Sequence, residues 1–113
     1  MRMMDTVGSM FAALEREPRP SDEDLEDMAL ARSDYEVLRH SPKGAHERMV
    51  FMAERFGVSE KQIGAEHWRA VDMARTCATC GVASSCEKFR RSEKTNFSPA
   101  LCPNAPQFSE LAV

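Results

Sequence analysis

Four cysteines, Cys77, Cys80, Cys86 and Cys102, are the only thiols in this chain of 113 residues, and they are spaced C-x2-C-x5-C-x15-C. Thiols gathered in one window, the first two as C-x-x-C, point to one inorganic centre held by all four. An all-cysteine zinc site draws its four thiolates from two short knuckles. Only one such pair is present here. A [4Fe–4S] cluster is a larger cuboid and accepts wider, uneven gaps, and a proline directly after a ligand, here Pro103 after Cys102, is frequent in cluster proteins. The spacing therefore favours a [4Fe–4S] cluster on Cys77, Cys80, Cys86 and Cys102, with zinc on the same residues as the alternative. A third chemistry is disulfide or free thiol, with Cys77 and Cys80 as a redox pair at a helix end. That reading leaves Cys86 and Cys102 to be explained separately, and the strand–helix–strand context is missing.

Around this window Arg69, Arg75, Lys88, Arg90, Arg91 and Lys94 outnumber Asp72, Glu87 and Glu93. Such cations would balance a net-negative four-thiolate centre. Asn104 has two readings: a cap for the turn that follows it, which is favoured, or an N–H donor to a cysteine sulfur. His40, His46 and His67 fall outside metal-knuckle spacing, although His67 could approach the site if its helix turns inward. No G-x-S-x-G, H-E-x-x-H or Walker motif occurs, which points away from an enzyme.

The elements that must position the cysteines read as helices throughout. Residues 5–17 carry Val7, Met10, Phe11 and Leu14 at helical spacing. Pro18 and Pro20 end that segment. Ser21 reads as an N-cap for an acidic helix start, Asp22 to Asp27, with Leu25 and Met28 inward. Ser33 would cap a short helix carrying Tyr35 and Leu38. Residues 43–56 form the clearest helix, with Met49, Met52, Ala53 and Phe56 as its stripe and Gly57 as its C′ residue. Ser59 to Gln62 fits a capping box. Gly64 shortens that helix, and another runs from about Ala65 to Thr76 with Trp68, Val71, Ala70 and Ala74 facing the core. A helix around 84–91 carries Cys86, residues 92–100 are irregular, and Pro103 opens a last helix with Phe108 and Leu111 inward. The 8 methionines sit mostly at helical spacing, as core filler.

Ala53, Gly57 and Ile63 match the framework of a helix-turn-helix. Gly64 interrupts the second helix, and Glu60 and Glu66 oppose phosphate, so DNA binding is disfavoured against a plain helical hairpin. With a net charge of −3 and 29% charged residues, the balance points to neither nucleic acid nor an anionic membrane. No segment approaches a membrane span or a targeting signal, so a cytoplasmic location is expected, where clustered cysteines serve metals or redox chemistry more than structural disulfides.

C-x2-C-x5-C resembles the core of the [4Fe–4S] sites of endonuclease III-type glycosylases and WhiB-like regulators, whose fourth cysteine lies upstream instead. A closer resemblance covers residues 45–111. Cys77, Cys80, Cys86, Cys102, Pro103, Asn104, Ala105 and Phe108, preceded by Phe56-Gly57-Val58, resemble the DUF6455 family of small bacterial proteins of unknown function. That resemblance implies a compact helical domain with a four-cysteine site and no known activity. The expectation is thus a small, irregular all-α bundle with a C-terminal four-cysteine metal site. Residues 1–42 form an N-terminal helical extension and residues 43–113 the four-cysteine domain. The expected function is iron–sulfur redox sensing or electron transfer through a protein partner. The alternatives are a zinc-stabilised protein-interaction module and a helix-turn-helix regulator switched by the metal.

Overall fold

The computed structural model describes residues 8, 10–12, 19–92 and 94–112. Among the described residues, seven α-helices follow one another from residue 22 onward: α1 Asp22–Asp27, α2 Arg32–Leu38, α3 Ala45–Arg55, α4 Glu60–Gly64, α5 His67–Ala78, α6 Ala83–Ser92 and α7 Ala105–Leu111, with a 3₁₀ turn at Pro99–Leu101 before α7. Gly8 and Met10–Ala12 are also helical, whereas Val7 and Leu14 of the expected N-terminal stripe lie outside the described residues. The described residues contain no strand, and none of their helices is long and apolar enough to cross a membrane. The expectation of a small, irregular all-α bundle is met.

The local chemistry explains most boundaries. Ser21 and Ser59 each accept a hydrogen bond from the backbone N–H three residues on, at 3.1 Å, and Asp24 and Gln62 reach back to the cap N–H, completing two capping boxes. Ser33 is not a cap: α2 starts one residue earlier, behind Ala31. At the end of α3 the Val58 N–H reaches the Ala53 carbonyl, at 2.9 Å, around Gly57 with φ +76°, the left-handed turn that glycine accepts without cost. The end of α1 repeats this turn, Leu30 N–H to Leu25 carbonyl at 2.9 Å, but around Ala29 with φ +53°, where a Cβ is strained.

One core runs through the bundle. Leu25, Tyr35 and Leu38 from the first two helices, with Leu30 from the turn between them, share it with Met49, Met52, Ile63, Met73 and Phe108, and Met10 and Phe11 join it, so methionines serve as filler as expected. Trp68 does not. It is 64% exposed, because α5 buries Ala70, Val71, Met73, Ala74 and Ala78 and the first-turn Trp68 falls on the opposite side of that helix. Its neighbour His67 is half-buried and meets the Ala29 carbonyl at 2.7 Å.

The two left-handed turns give a paired expectation. Ala29→Gly should stabilise the fold by about 1 kcal/mol and Gly57→Ala should destabilise it by about as much, read as opposite shifts of the denaturant midpoint. No van der Waals neighbour lies within 4 Å of a Cβ built at Gly57, so a large loss there could only come from the backbone.

Candidate functional site

The four cysteines come from four different local settings. Cys77 lies in the last turn of α5, Cys80 in the turn that follows, Cys86 in the first half of α6, and Cys102 directly after the 3₁₀ turn. Two short devices fold the first three together. The α5 helix ends at Thr79, and the Cys80 N–H turns back onto the Cys77 carbonyl at 3.3 Å. The Val82 N–H then donates to Cys80 Sγ at 3.4 Å as the chain enters α6.

Cys102 arrives from the far side, and Asn104 brings it in. The Asn104 side chain is 1% exposed. Its Nδ2 donates to the Met73 carbonyl at 3.0 Å and to Cys77 Sγ at 3.8 Å. It makes no capping bond to α7, so the favoured capping reading is corrected: this side chain ties the C-terminal segment to α5. Its Oδ1 is buried without a hydrogen-bond partner.

All four cysteines line one cavity, together with Arg48, Met49, Met52, Phe97, Asn104 and Phe108 among others. Its free volume is about 20 Å³, room for a single water-sized molecule. Phe97 anchors the irregular stretch before the 3₁₀ turn by packing on Phe89 with ring centres 5.6 Å apart, and Phe89 meets Phe51 of α3 at 5.5 Å.

Burial sets the electrostatics. It pushes the Cys77 thiol up to about 12, with the charges of Cys102, Cys80 and Cys86 adding to the shift. Cys86 is pushed up to about 11 by burial and then by Cys102. Cys102 is also raised by burial, while the N–H groups of Asn104 and Ala105 act in the opposite direction. Of the neighbouring charges, that of Cys102 weighs most on both Cys77 and Cys86.

The metal centre is not supported. Among the described residues no group of three or more His, Cys, Asp or Glu side chains could hold a metal ion. The four thiols line the wall of a mainly apolar cavity. The four-cysteine metal site, the [4Fe–4S] cluster and the zinc alternative are therefore withdrawn. With them go the iron–sulfur redox and electron-transfer role and the zinc-stabilised module. The helix-turn-helix regulator fails on length: α4, the would-be recognition helix, has 5 residues, less than two turns.

Four of the six cations expected around the centre are engaged elsewhere. Arg69 pairs with Glu66 and Glu110, Arg75 with Asp34, and Arg90 and Arg91 with Glu87. His46 pairs with Glu60 at 2.8 Å, and no histidine lines the cavity. The cation that does reach it is Arg48 of α3, 5% exposed. It donates to the Lys43 carbonyl at 2.8 Å, the Pro42 carbonyl at 3.3 Å and the Glu87 carboxylate at 3.3 Å. Glu87 is held at about 2 by Arg90 first, then by Arg48. Sequence reasoning missed Arg48, although its signal was present: Ala45, Arg48, Met49 and Met52 follow helical spacing, which sets an arginine on the buried stripe.

Fold and site together define a small all-α bundle built around a thiol-lined cavity. The comparison with protein families supplies the grouping: residues 38–113 match DUF6455, a family of unknown function, and the chain belongs to it. No curated protein and no solved structure matches the chain.

The raised thiols make stability fall in alkali. A thiol that ionises near 9.0 when unfolded and near 12 when folded, as Cys77 does, stays protonated in the native state while the unfolded chain loses its proton. Stability is therefore full below about pH 9 and drains away as pH rises towards 12. Denaturation midpoints measured in steps from pH 8 upward should show this decline, and replacing Cys77 by alanine should flatten it.

Proposed function

We propose that the protein works through its sulfurs alone, as a thiol–disulfide module. Two of the four cysteines lose two electrons and two protons together and close a disulfide. The oxidant is a hydroperoxide, which leaves as alcohol or water plus water, or a disulfide-bearing protein partner, which leaves as the dithiol. No metal takes part. The observation that carries this reading is that four free thiols line one small cavity.

Two further features support it. Cys80 and Cys102 are only half-buried, which leaves sulfur within reach of a protein partner. Neutral thiols are slow nucleophiles, so burial keeps the reduced form quiescent until an oxidant reaches the cavity. We read residues 43–113 as the thiol-bearing domain and residues 1–42 as a helical extension that supplies core to it, consistent with a family match that begins at residue 38.

The test is a thiol count. Reduced protein in the presence of a chelator is treated with a mild two-electron oxidant, unfolded, and titrated for free thiol. The four thiols should disappear in pairs, the chain should stay monomeric on a non-reducing gel, and a dithiol reductant should restore all four. Persistence of four thiols in the folded protein, or loss only through intermolecular bonds, would refute the proposal.

A further inference from the structure

The free volume that the four cysteines share is about 20 Å³, too small to admit any disulfide. Exchange with an outside disulfide therefore takes place at the rim, through the sulfur that the rim presents. We propose that this sulfur is Cys80: it exchanges with an external disulfide, and Cys102 resolves the mixed disulfide into a Cys80–Cys102 bond. This rests on the thiol–disulfide reading and names its oxidant and the order in which its sulfurs act.

Three observations single out Cys80. The first is its place in the chain. Cys77 and Cys86 lie within α5 and α6, whereas Cys80 lies in the turn of residues 79–82 between them. Its neighbours Thr79 and Gly81 are both exposed, and a Cβ built at Gly81 would meet nothing within 4 Å. Access of one sulfur to another is part of what sets an exchange rate. The second is exposure. Cys80 is half-buried where Cys86 is buried. Cys77 is also half-buried, but its sulfur is already engaged by the buried Asn104 amide, with Nδ2 at 3.8 Å. The third is a fixed donor. The Val82 N–H reaches Cys80 Sγ at 3.4 Å, and a hydrogen bond to sulfur favours the thiolate, the form that attacks.

Cys102 is the second sulfur on geometric grounds. Closing a disulfide brings two Cα atoms to about 5.5 Å, which asks the backbone to adjust. Cys102 is the other cysteine held outside an α-helix, half-buried and on the same cavity wall. The steps balance without a further reactant. The Cys80 thiolate attacks one sulfur of the external disulfide. A new S–S bond forms there, the old one breaks, and the departing thiolate takes up the proton released by Cys80. Cys102 then attacks the Cys80 sulfur. The Cys80–Cys102 bond forms, the mixed disulfide breaks, and the second external thiolate leaves with the Cys102 proton. In total two thiols of this chain are oxidised and one external disulfide is reduced to two thiols.

The experiment uses the full chain, reduced and folded, with a chelator present. The probes are oxidised glutathione and a disulfide-bridged peptide; the faster of the two, each divided by its rate with free cysteine, identifies a small-molecule or a protein source. In Cys102→Ser the glutathione adduct should accumulate, and peptide mapping should place it on Cys80. Cys80→Ser should lose about tenfold or more in the rate of internal disulfide formation. In the wild-type protein a limiting pulse of N-ethylmaleimide should label Cys80 about tenfold ahead of Cys77 and Cys86. Circular dichroism identifies a variant that has not folded, and in that event the wild-type pulse decides alone. Four results would overturn the assignment while leaving the thiol–disulfide module standing: an adduct on another cysteine, an internal disulfide in Cys102→Ser in place of the adduct, a folded Cys80→Ser with the wild-type rate, or a pulse that labels another cysteine first. Failure of every oxidant to form an internal disulfide would overturn both.

Discussion

The hydrogen bond from Asn104 Nδ2 to the Met73 carbonyl, at 3.0 Å, is the constraint on which the site depends. Cys102 is separated in sequence from the other cysteines by the irregular stretch and the 3₁₀ turn. It reaches them because the residue two positions later is pinned one helical turn before Cys77. The pin is costly. A buried amide fully desolvated, with one of its two ends unpaired, is tolerated only where surrounding packing over-determines its position. Phe108 supplies that packing from the same short helix, fully buried and against Phe56 with ring centres 5.4 Å apart.

The second constraint is the buried cation. Arg48 crosses from α3 to Glu87 of α6 and, through two carbonyls, holds the turn that precedes its own helix. A buried guanidinium is permissible because its donors find acceptors, one of them ionised. Its charge also works against the upward shift of Cys77 and Cys86, but burial outweighs it. The balance is a cavity in which burial holds Cys77, Cys86 and Cys102 towards the neutral thiol, with a positive charge in its wall for any thiolate that forms.

Much of the fold was legible in the sequence because its signals are local. Ser21, Ser59 and Gly57 mark helix ends by their own side chains or lack of one, and the Met49, Met52 and Ala53 stripe needs only helical periodicity. The failures have different physical causes. Trp68 was assigned inward on hydrophobicity alone, but the start of α5 at His67 rotates it to the solvent side. Ser33 lost its capping role to a helix that begins one residue earlier. The cysteine spacing grouped four residues that do line one cavity, yet spacing says nothing about whether they can hold a metal ion, and among the described residues no group can. The burial of Arg48 was readable from the spacing of its own helix, whereas its bond to Glu87 and the tie from Asn104 to Met73 join distant segments, which no local pattern encodes.

The central claim is that tertiary structure, not sequence proximity, sets the partners of these thiols. The direct measurement is peptide mapping of the first disulfide formed in the folded, reduced protein, beside the same oxidation in denaturant. The account predicts that Cys102 is part of the first bond in the folded protein, whereas the unfolded chain, ruled by loop closure, favours the neighbours Cys77 and Cys80. A folded protein that first joins Cys77 to Cys80 and leaves Cys102 free would contradict it.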